Sequence, residues 1–419
     1  MRIMSWNING LRALLRRHNS DYGALMTQLG EPNVLSLQET RMSLAALAGL
    51  TALAPPGYEA YYACCASRGG YSGVATLARA GSVLAAFDSF AKAAAAWTPD
   101  DVLDAAMTPH PLMPTGWAGE GLQAEVDRQA APAGSDASSP APESVDGDDR
   151  VPAPPTTLRQ WLDTWAPRFD AEGRMVFTRH GLVGSDKDIL LCNGYFPNVG
   201  QGGERVAFKH AFNALIAALA TAWASAGFHV VILGDFNVVH RDIDCFHANP
   251  PAHEAGLNPA ERAWMESLVG SGGAFLDAFR IFHPTESRKY TWWSVKKSRR
   301  PSNNGWRLDY FALSPSLLAE ELVADSDILP DVHGSDHCPI TLTLSAPCRL
   351  RAPDEHAPAK LPSLSLLRST STASIATILD SNQPTIVSMF KRRRPRDDDD
   401  AGPSGASPTK RAKGLGGLS

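Results

Sequence analysis

The 419-residue sequence predicts an α/β sandwich of mixed sheets. Short apolar, β-branched or aromatic runs bounded by turn residues recur along the chain, and helical patterns separate only some of them. Strands that are sometimes adjacent and sometimes separated by helices do not build a simple alternating parallel sheet. Residues able to do chemistry stand at the ends of these runs, where α/β enzymes hold reactive groups on a rigid frame.

In order, the strand runs are "RIMSWNI", "NVLSLQET", "YEAYYACC", "GVATLAR", "RMVFTRH", "DILLCNGYF", "HVVILGDFN", "RLDYFALS" and "PITLTLS". Helical patterns cover 204–225 and 259–269. The run "AFNALIAALATAWASAG" is Ala-rich, short for a bilayer and leads straight into "HVVILGDF", so it reads as a helix packed on a sheet. Between 91 and 157 no strand is evident, and the stretch "APAGSDASSPAPESVDGDDRVPAPP" cannot bury enough apolar area to offset chain entropy. It reads as an inserted, largely disordered loop. From 346 onward low complexity dominates. The expected organisation is a folded region 1–345, interrupted at 91–157, and a disordered tail 346–419.

With 44% hydrophobic residues and a net charge of −5, the chain can build one large core or two small ones. Its six cysteines form no CxxC pair, and "MRIMSWNING" lacks an apolar secretion segment, so reduced thiols inside a cell are expected. The acidic balance argues against a protein that coats nucleic acid. Positive charge is nevertheless dense in "KKSRR" and "KRRRPR". Beside "YTWWS", the first of these reads either as a patch for stacked bases and phosphates or as solvated surface over core aromatics.

The chemistry-bearing residues are Asn7, Glu39, Tyr195, Asn198, Asp235, Asn237, Asp309, Asp336 and His337. Singly, an Asp or Asn after a strand is a turn former or helix cap, and Tyr195 a core-edge aromatic. Their coexistence at six successive strand ends favours a site. Carboxylates and amide oxygens without thiolates make a hard-oxygen set suited to Mg²⁺ or Mn²⁺. A metal held by Glu39 and its neighbours would neutralise charge on a phosphate under attack. Asp235 can serve as base for water, with Asn237 reaching the same pocket. His337 can donate to a phosphate oxygen, while Asp309 orients its imidazole and keeps it protonated. No Ser or Cys stands in a nucleophile motif, so water attacks directly. The chemistry so read is metal-assisted hydrolysis of a phosphodiester or phosphomonoester.

The series "SWNINGLRA", "LQET", "GYSGVA", "GYFPNVG", "LGDFNVVH", "GWRLDYF" and "GSDHCPI", in this order, resembles the exonuclease III family of AP endonucleases, within the endonuclease/exonuclease/phosphatase superfamily. The resemblance spans nearly all of 1–345 outside the insertion. It implies a four-layer sandwich of two mixed sheets flanked by helices. It also implies a metal site of Asn7, Glu39, Asp235, Asn237, Asp336 and His337, Glu39 being the direct Mg²⁺ ligand. By the same resemblance Tyr195 contacts the scissile phosphate, Asp235 orients or deprotonates the attacking water, and Asn237 stabilises the transition state. Asp309 and His337 match the pair at the phosphate, Asn198 a substrate-contacting asparagine, and Trp306 a residue beside the pocket for the baseless sugar. Asn9 stands where some members have Asp.

"EGRMVFTRH", "ERVAFKHAF" and "VVILGDFNVVHRDID", with the inserted loop and long tail, resemble the type-2 eukaryotic branch, the AP endonuclease 2 proteins. This implies cleavage 5' to abasic sites, 3'-to-5' exonuclease and 3'-phosphodiesterase activity on double-stranded DNA with abasic or 3'-blocked sites. Base excision repair in the nucleus, or additionally in the mitochondrion, and a monomeric state follow as expectations. Branch members often end in a zinc-binding finger, whereas here no Cys follows Cys348 and no His follows His356. The alternatives are a lipid or inositol phosphatase-like enzyme of the superfamily and an inactive clamp-binding scaffold. "GWRLDYF", "LQET" and "GYFPNVG" look nuclease-like, and no membrane-docking surface is evident. In the tail, "QPTIVSMF" resembles a sliding-clamp peptide for proliferating cell nuclear antigen, with Gln383, Ile386 and Phe390 fitting and Met389 at the first aromatic position. The basic runs beside it suit a clamp's acidic surface or an import receptor.

Overall fold

The computed structural model describes residues 1–48, 50, 52–105, 155–200, 205–247 and 254–350. The chain opens with β1 (Arg2–Asn7), α1 (Leu11–Arg17), α2 (Tyr22–Gln28), β2 (Val34–Gln38) and α3 (Leu44–Ala48). Next come β3 (Tyr58–Ala63), β4 (Val74–Arg79), β5 (Ala85–Phe87), α4 (Phe90–Trp97), α5 (Asp100–Asp104), α6 (Leu158–Ala171), β6 (Met175–Leu182) and β7 (Ile189–Tyr195). Then follow α7 (Val206–Ser225), β8 (His229–Asp235), α8 (Pro259–Val269), β9 (Leu276–Asp277), α9 (Ala278–Phe282) and β10 (Asp309–Leu313). The last elements are α10 (Pro315–Ala319), β11 (Val323–Ile328), β12 (Ile340–Leu344) and β13 (Cys348–Arg349).

Among the described residues the strands form two sheets, ordered β11-β12-β1-β2-β4-β3 and β13-β6-β7-β8-β10-β9, with β5 on β6. The pairs β1–β2 and β7–β8 are parallel and their neighbours antiparallel, so both sheets are mixed. Side chains alternate between the faces of a strand, and three apolar clusters follow from that period of two. Ile3, Val34, Val231, Leu233, Phe311 and Leu342 fill the space between the sheets. Met4, Trp6, Leu35 and Leu37, one residue out of phase, pack against α1 and α2. Val230, Ile232, Tyr310 and Ala312 pack against α4, α6, α7 and α8. The layers are therefore helices, sheet, sheet, helices. Each buried Leu, Val or Phe contributes about 1.5–3 kcal/mol relative to exposure.

The run 206–225 is the one helix among the described residues long and apolar enough to cross a bilayer, yet 67% of its most apolar 18-residue stretch is buried. Phe208, Phe212, Leu215, Leu219 and Trp223 lie in the cluster against the second sheet, as a core helix requires.

The structure departs from the sequence reading at the start of the insertion, where 91–97 and 100–104 are helical. Ser89 caps α4 by accepting from the Lys92 amide, and Asp170 of α6 accepts from the Ser89 hydroxyl at 2.8 Å and the Phe90 amide at 3.0 Å. Phe90, Ala93, Ala94 and Trp97 bury one stripe at helical spacing. The partner surface is α6, where Trp161, Trp165 and Phe169 recur every four residues and stack in pairs. At the other boundary, β13 continues past 345 and pairs with β6. Residues 106–154 and 351–419 lie outside the described residues, and with them the rest of the insertion, the tail and the peptide of Gln383, Ile386, Met389 and Phe390.

One glycine sets the site's scaffold. Gly234 has φ +130°, and a Cβ there would fall 1.9 Å from the Gly194 carbonyl oxygen. Only glycine lets β7 and β8 approach this closely one residue before Asp235.

Candidate active site

The site lies where the carboxyl ends of the two parallel pairs meet. Asn7 ends β1 and Glu39 follows β2, while Tyr195 and Asp235 are register partners closing β7 and β8. Antiparallel pairing sets Asp309, the first residue of β10, opposite Asp235. The 335–338 segment adds Asp336 and His337 through a bridge to Trp292. A cleft of about 230 Å³ results, lined by Glu39, Tyr195, Asn198, Asp235, Asn237, Asp336, His337 and Trp306, with Trp292, Leu308 and Ala255 completing it. Asn7 and Asp309 support this wall from behind, both buried.

Hydrogen bonds fix each group. The Asn7 amide nitrogen donates to Glu39 Oε1 at 3.0 Å and to Asp235 Oδ2 at 2.9 Å, tying the first sheet to the second. Its oxygen accepts from the Asn9 amide. The Asn237 backbone N–H donates to Asp235 Oδ1 at 2.9 Å, and its side-chain nitrogen to the Phe196 carbonyl at 3.0 Å. His337 Nδ1 pairs with Asp309 Oδ2 at 2.8 Å, leaving Nε2 3.8 Å from Asp235 Oδ2. Asp336 accepts from Asn9 Nδ2 at 2.8 Å and Trp292 Nε1 at 3.1 Å. Arg41 pairs with Glu39 Oε2 at 2.7 Å on the open side. Asn198 Nδ2 approaches Asn237 Oδ1 at 3.4 Å.

Burial raises the Asp235 carboxyl to about 7, a push that the Asp309 charge reinforces and His337, Asn7 and Asn237 oppose. Burial alone would depress His337. The charges of Asp309 and Asp235 outweigh it and raise the imidazole to about 10, so it is cationic at neutral pH. Burial, then the Glu39 and Asp235 charges, lift the Tyr195 phenol well above its usual value, so it remains a donor. The pocket thus holds a base near neutrality, an imidazolium and a phenol within one cleft.

The donor set fits a hard divalent cation. Asp235, Asp309 and His337 bring one potential ligand atom each within 4.8 Å of one another. Asp309 Oδ1 is buried without a hydrogen-bond partner. A cationic imidazole offers no lone pair, whereas Glu39 and Asp336 present carboxylate oxygens to the open cleft. Four carboxylates against one imidazolium and the Arg41 guanidinium still leave excess negative charge that a divalent ion would offset.

Three contributors escaped the sequence reading. Trp292 anchors Asp336 and meets Trp306 at 5.0 Å between ring centroids, and "YTWWS" was the signal for it. Arg174 is buried under Tyr195, donating to its carbonyl at 2.9 Å and to the Tyr71 hydroxyl at 2.6 Å. Lys209 reaches the Asn237 carbonyl at 2.8 Å. A charged residue beside a strand or on a helix gives no sequence sign that it points inward.

Residues 4–337 match the Endonuclease/Exonuclease/phosphatase family. The chain is 31% identical over 367 residues to DNA-(apurinic or apyrimidinic site) endonuclease 2 of Mus musculus, covering 83% of this chain and 61% of that protein. The Homo sapiens protein of the same name is 29% identical over 366 residues, covering 82% and 60%. The chain spans about three fifths of the length of these curated relatives. Among solved structures, the Xenopus laevis APE2 catalytic domain superposes with a TM-score of 0.60 at 27% identity, covering 84% of this chain and 94% of that one. The AP endonuclease LMAP of Leishmania major gives 0.56 at 25% identity, covering 81% and 86%.

Proposed function

This chain belongs to the endonuclease/exonuclease/phosphatase family, and we propose that within it the protein is a DNA repair nuclease. Its reactions would be hydrolysis of the phosphodiester 5' to an abasic site and trimming of 3' ends by 3'-to-5' exonuclease and 3'-phosphodiesterase activity. The observation that carries the reading is the convergence of Glu39 from one sheet with Asp235, Asn237 and Asp309 from the other, and with His337 of the 335–338 segment, at a single cleft. The resemblance to AP endonucleases 2 over most of the chain supports DNA as the substrate.

In this mechanism Asp235, fixed by Asn7 and the Asn237 amide, takes the proton from the attacking water. His337 Nε2 donates to a nonbridging phosphate oxygen while Asp309 holds the other nitrogen. Tyr195 and the Asn237 side chain donate to the same phosphoryl group, and Asn198 and Trp306 border the nucleotide. Glu39 and Asp336, with Asn7 holding Glu39, would carry Mg²⁺ or Mn²⁺, which supplies charge neutralisation at the phosphate and leaving oxygen.

A duplex with one abasic analogue, a 3'-blocked duplex and a recessed 3' end, assayed side by side with Mg²⁺, test the reading. Absence of both incision and trimming would sink it. Residues 383–390 serve, in the same proposal, as the sliding-clamp tether of a nuclear enzyme. A Phe390→Ala peptide binding the clamp as tightly as the parent would remove that part.

A further inference from the structure

Lys209 and Glu261 are fully buried, and the mechanism above uses neither. Lys209 lies in the first turn of α7 and Glu261 in the first turn of α8. The ammonium is 2.5 Å from Glu261 Oε1 and donates to the Asn237 carbonyl at 2.8 Å. Glu261 Oε2 accepts from the Gly256 amide at 2.7 Å and from the Asn258 side chain. Gly256 in turn accepts from the Val239 amide at 2.8 Å. One ion pair therefore grips both the Asp235–Asn237 turn and the 254–258 turn, whose Ala255 lines the cleft.

Two features show why such a grip matters. Asn237 adopts φ +51°, a left-handed conformation that asparagine tolerates better than other residues with a Cβ, so contacts from its surroundings decide how firmly the turn is held. Gly256, at φ +84°, approaches so closely that a Cβ there would lie 3.0 Å from the Asn237 carbonyl oxygen. A buried ion pair is a poor source of stability compared with an apolar pair of the same volume, but its directional bonds favour one arrangement over others. Other cations nearby have different duties: Arg174 supports Tyr195 and Arg205 pairs with Glu172.

We infer that Lys209 and Glu261 form a buried clasp that holds Asn237 and the 254–258 turn in working position, making Lys209 a positioning residue for catalysis. The inference rests on the proposed nuclease reaction. Lys209 touches no substrate. It sets the direction from which the Asn237 side chain meets the phosphate and the distance between that amide and the Ala255 wall.

The test pairs Lys209→Met with Glu261→Gln in one full-length variant, removing both charges while keeping the volume. Its thermal midpoint is expected to stay near that of the parent. On an abasic-analogue duplex and on a recessed 3' end, kcat is expected to fall 10- to 100-fold by the same factor, with KM within threefold. Amide hydrogen exchange at Asn237 and Gly256, read without substrate, should accelerate at least tenfold in the variant. Lys209→Arg, which keeps the buried charge opposite Glu261 but moves the donor off the Asn237 carbonyl, should lose less than the paired variant; should the pair fail to fold, this single variant decides through the same exchange and kcat measurements. Unchanged kcat and exchange in a folded variant overturn the clasp, as does a loss confined to one substrate. A parent inactive on both substrates sinks the nuclease reading instead, and the exchange measurement still decides the clasp.

Discussion

His337 Nδ1 and Asp309 Oδ2 stand 2.8 Å apart inside a wall that buries both residues, and the ring's other nitrogen turns toward Asp235. Replacing His337 by Ala removes the charged donor that, in the proposed reaction, faces the phosphate. Turnover on an abasic duplex is expected to drop by about a thousandfold, with a smaller change in KM. Near-normal turnover would refute the role.

The same pair predicts the pH profile. The Asp235 base form is populated above about 7 and the His337 imidazolium is lost above about 10, so turnover should rise through about 7 and fail on the alkaline side. Asp309→Asn withdraws the charge that sustains the imidazolium, so the alkaline limb should move to lower pH. Stability follows the same sign. His337 is raised on folding, so its contribution is complete below an unfolded value of about 6.5 and is lost as pH climbs through about 10. A kcat profile of Asp309→Asn identical to the parent's would contradict this.

Glu39 presents its carboxylate to the cleft with Asn7 on one oxygen and Arg41 on the other. Glu39→Ala should raise the Mg²⁺ concentration for half-maximal activity at least tenfold and weaken Mn²⁺ binding measured by calorimetry. Arg41→Ala, which removes only an exposed ion pair, should change stability by less than about 1 kcal/mol.

Beneath Trp306, the Arg307 guanidinium bridges Asp244 and Asp277, and Arg280 also pairs with Asp244. Asp244 is buried and held far below the ordinary carboxylate range, because the two arginines outweigh its desolvation. Asp244→Ala leaves the buried Arg280 without a carboxylate and Arg307 with Asp277 alone, and should cost about 3–5 kcal/mol in urea unfolding. The contribution is present above an unfolded value of about 3.9 and disappears on acidification.

Gly234→Ala tests the scaffold. With a Cβ 1.9 Å from the Gly194 oxygen, β7 and β8 cannot keep their register, and the variant should fail to give soluble, cooperatively unfolding protein.

Residues such as Asp235 and His337 were legible because short motifs set them at strand ends, and parallel or antiparallel register then brought those ends to one edge. Where a residue's role depends on what packs against it, the sequence was silent. Helix α4 has an apolar stripe that acquires meaning only against α6, some sixty positions on and across the insertion, so 91–105 read as loop. Strand β11, "VADSDI", is half exposed and polar at an edge, with none of the apolar alternation that marks a strand. Arg174, Lys209 and Arg307 carry the composition of surface residues yet are buried, because their partners come from distant elements.

The Asn7 amide joins Glu39 and Asp235 across the gap between the two sheets. Neither sheet alone contains the full set of groups. If the halves part even slightly, the amide loses one carboxylate and the cleft loses its alignment before the chain unfolds. Loss of hydrolysis would then precede loss of helical signal on heating, so a slightly opened molecule would fall idle while still folded.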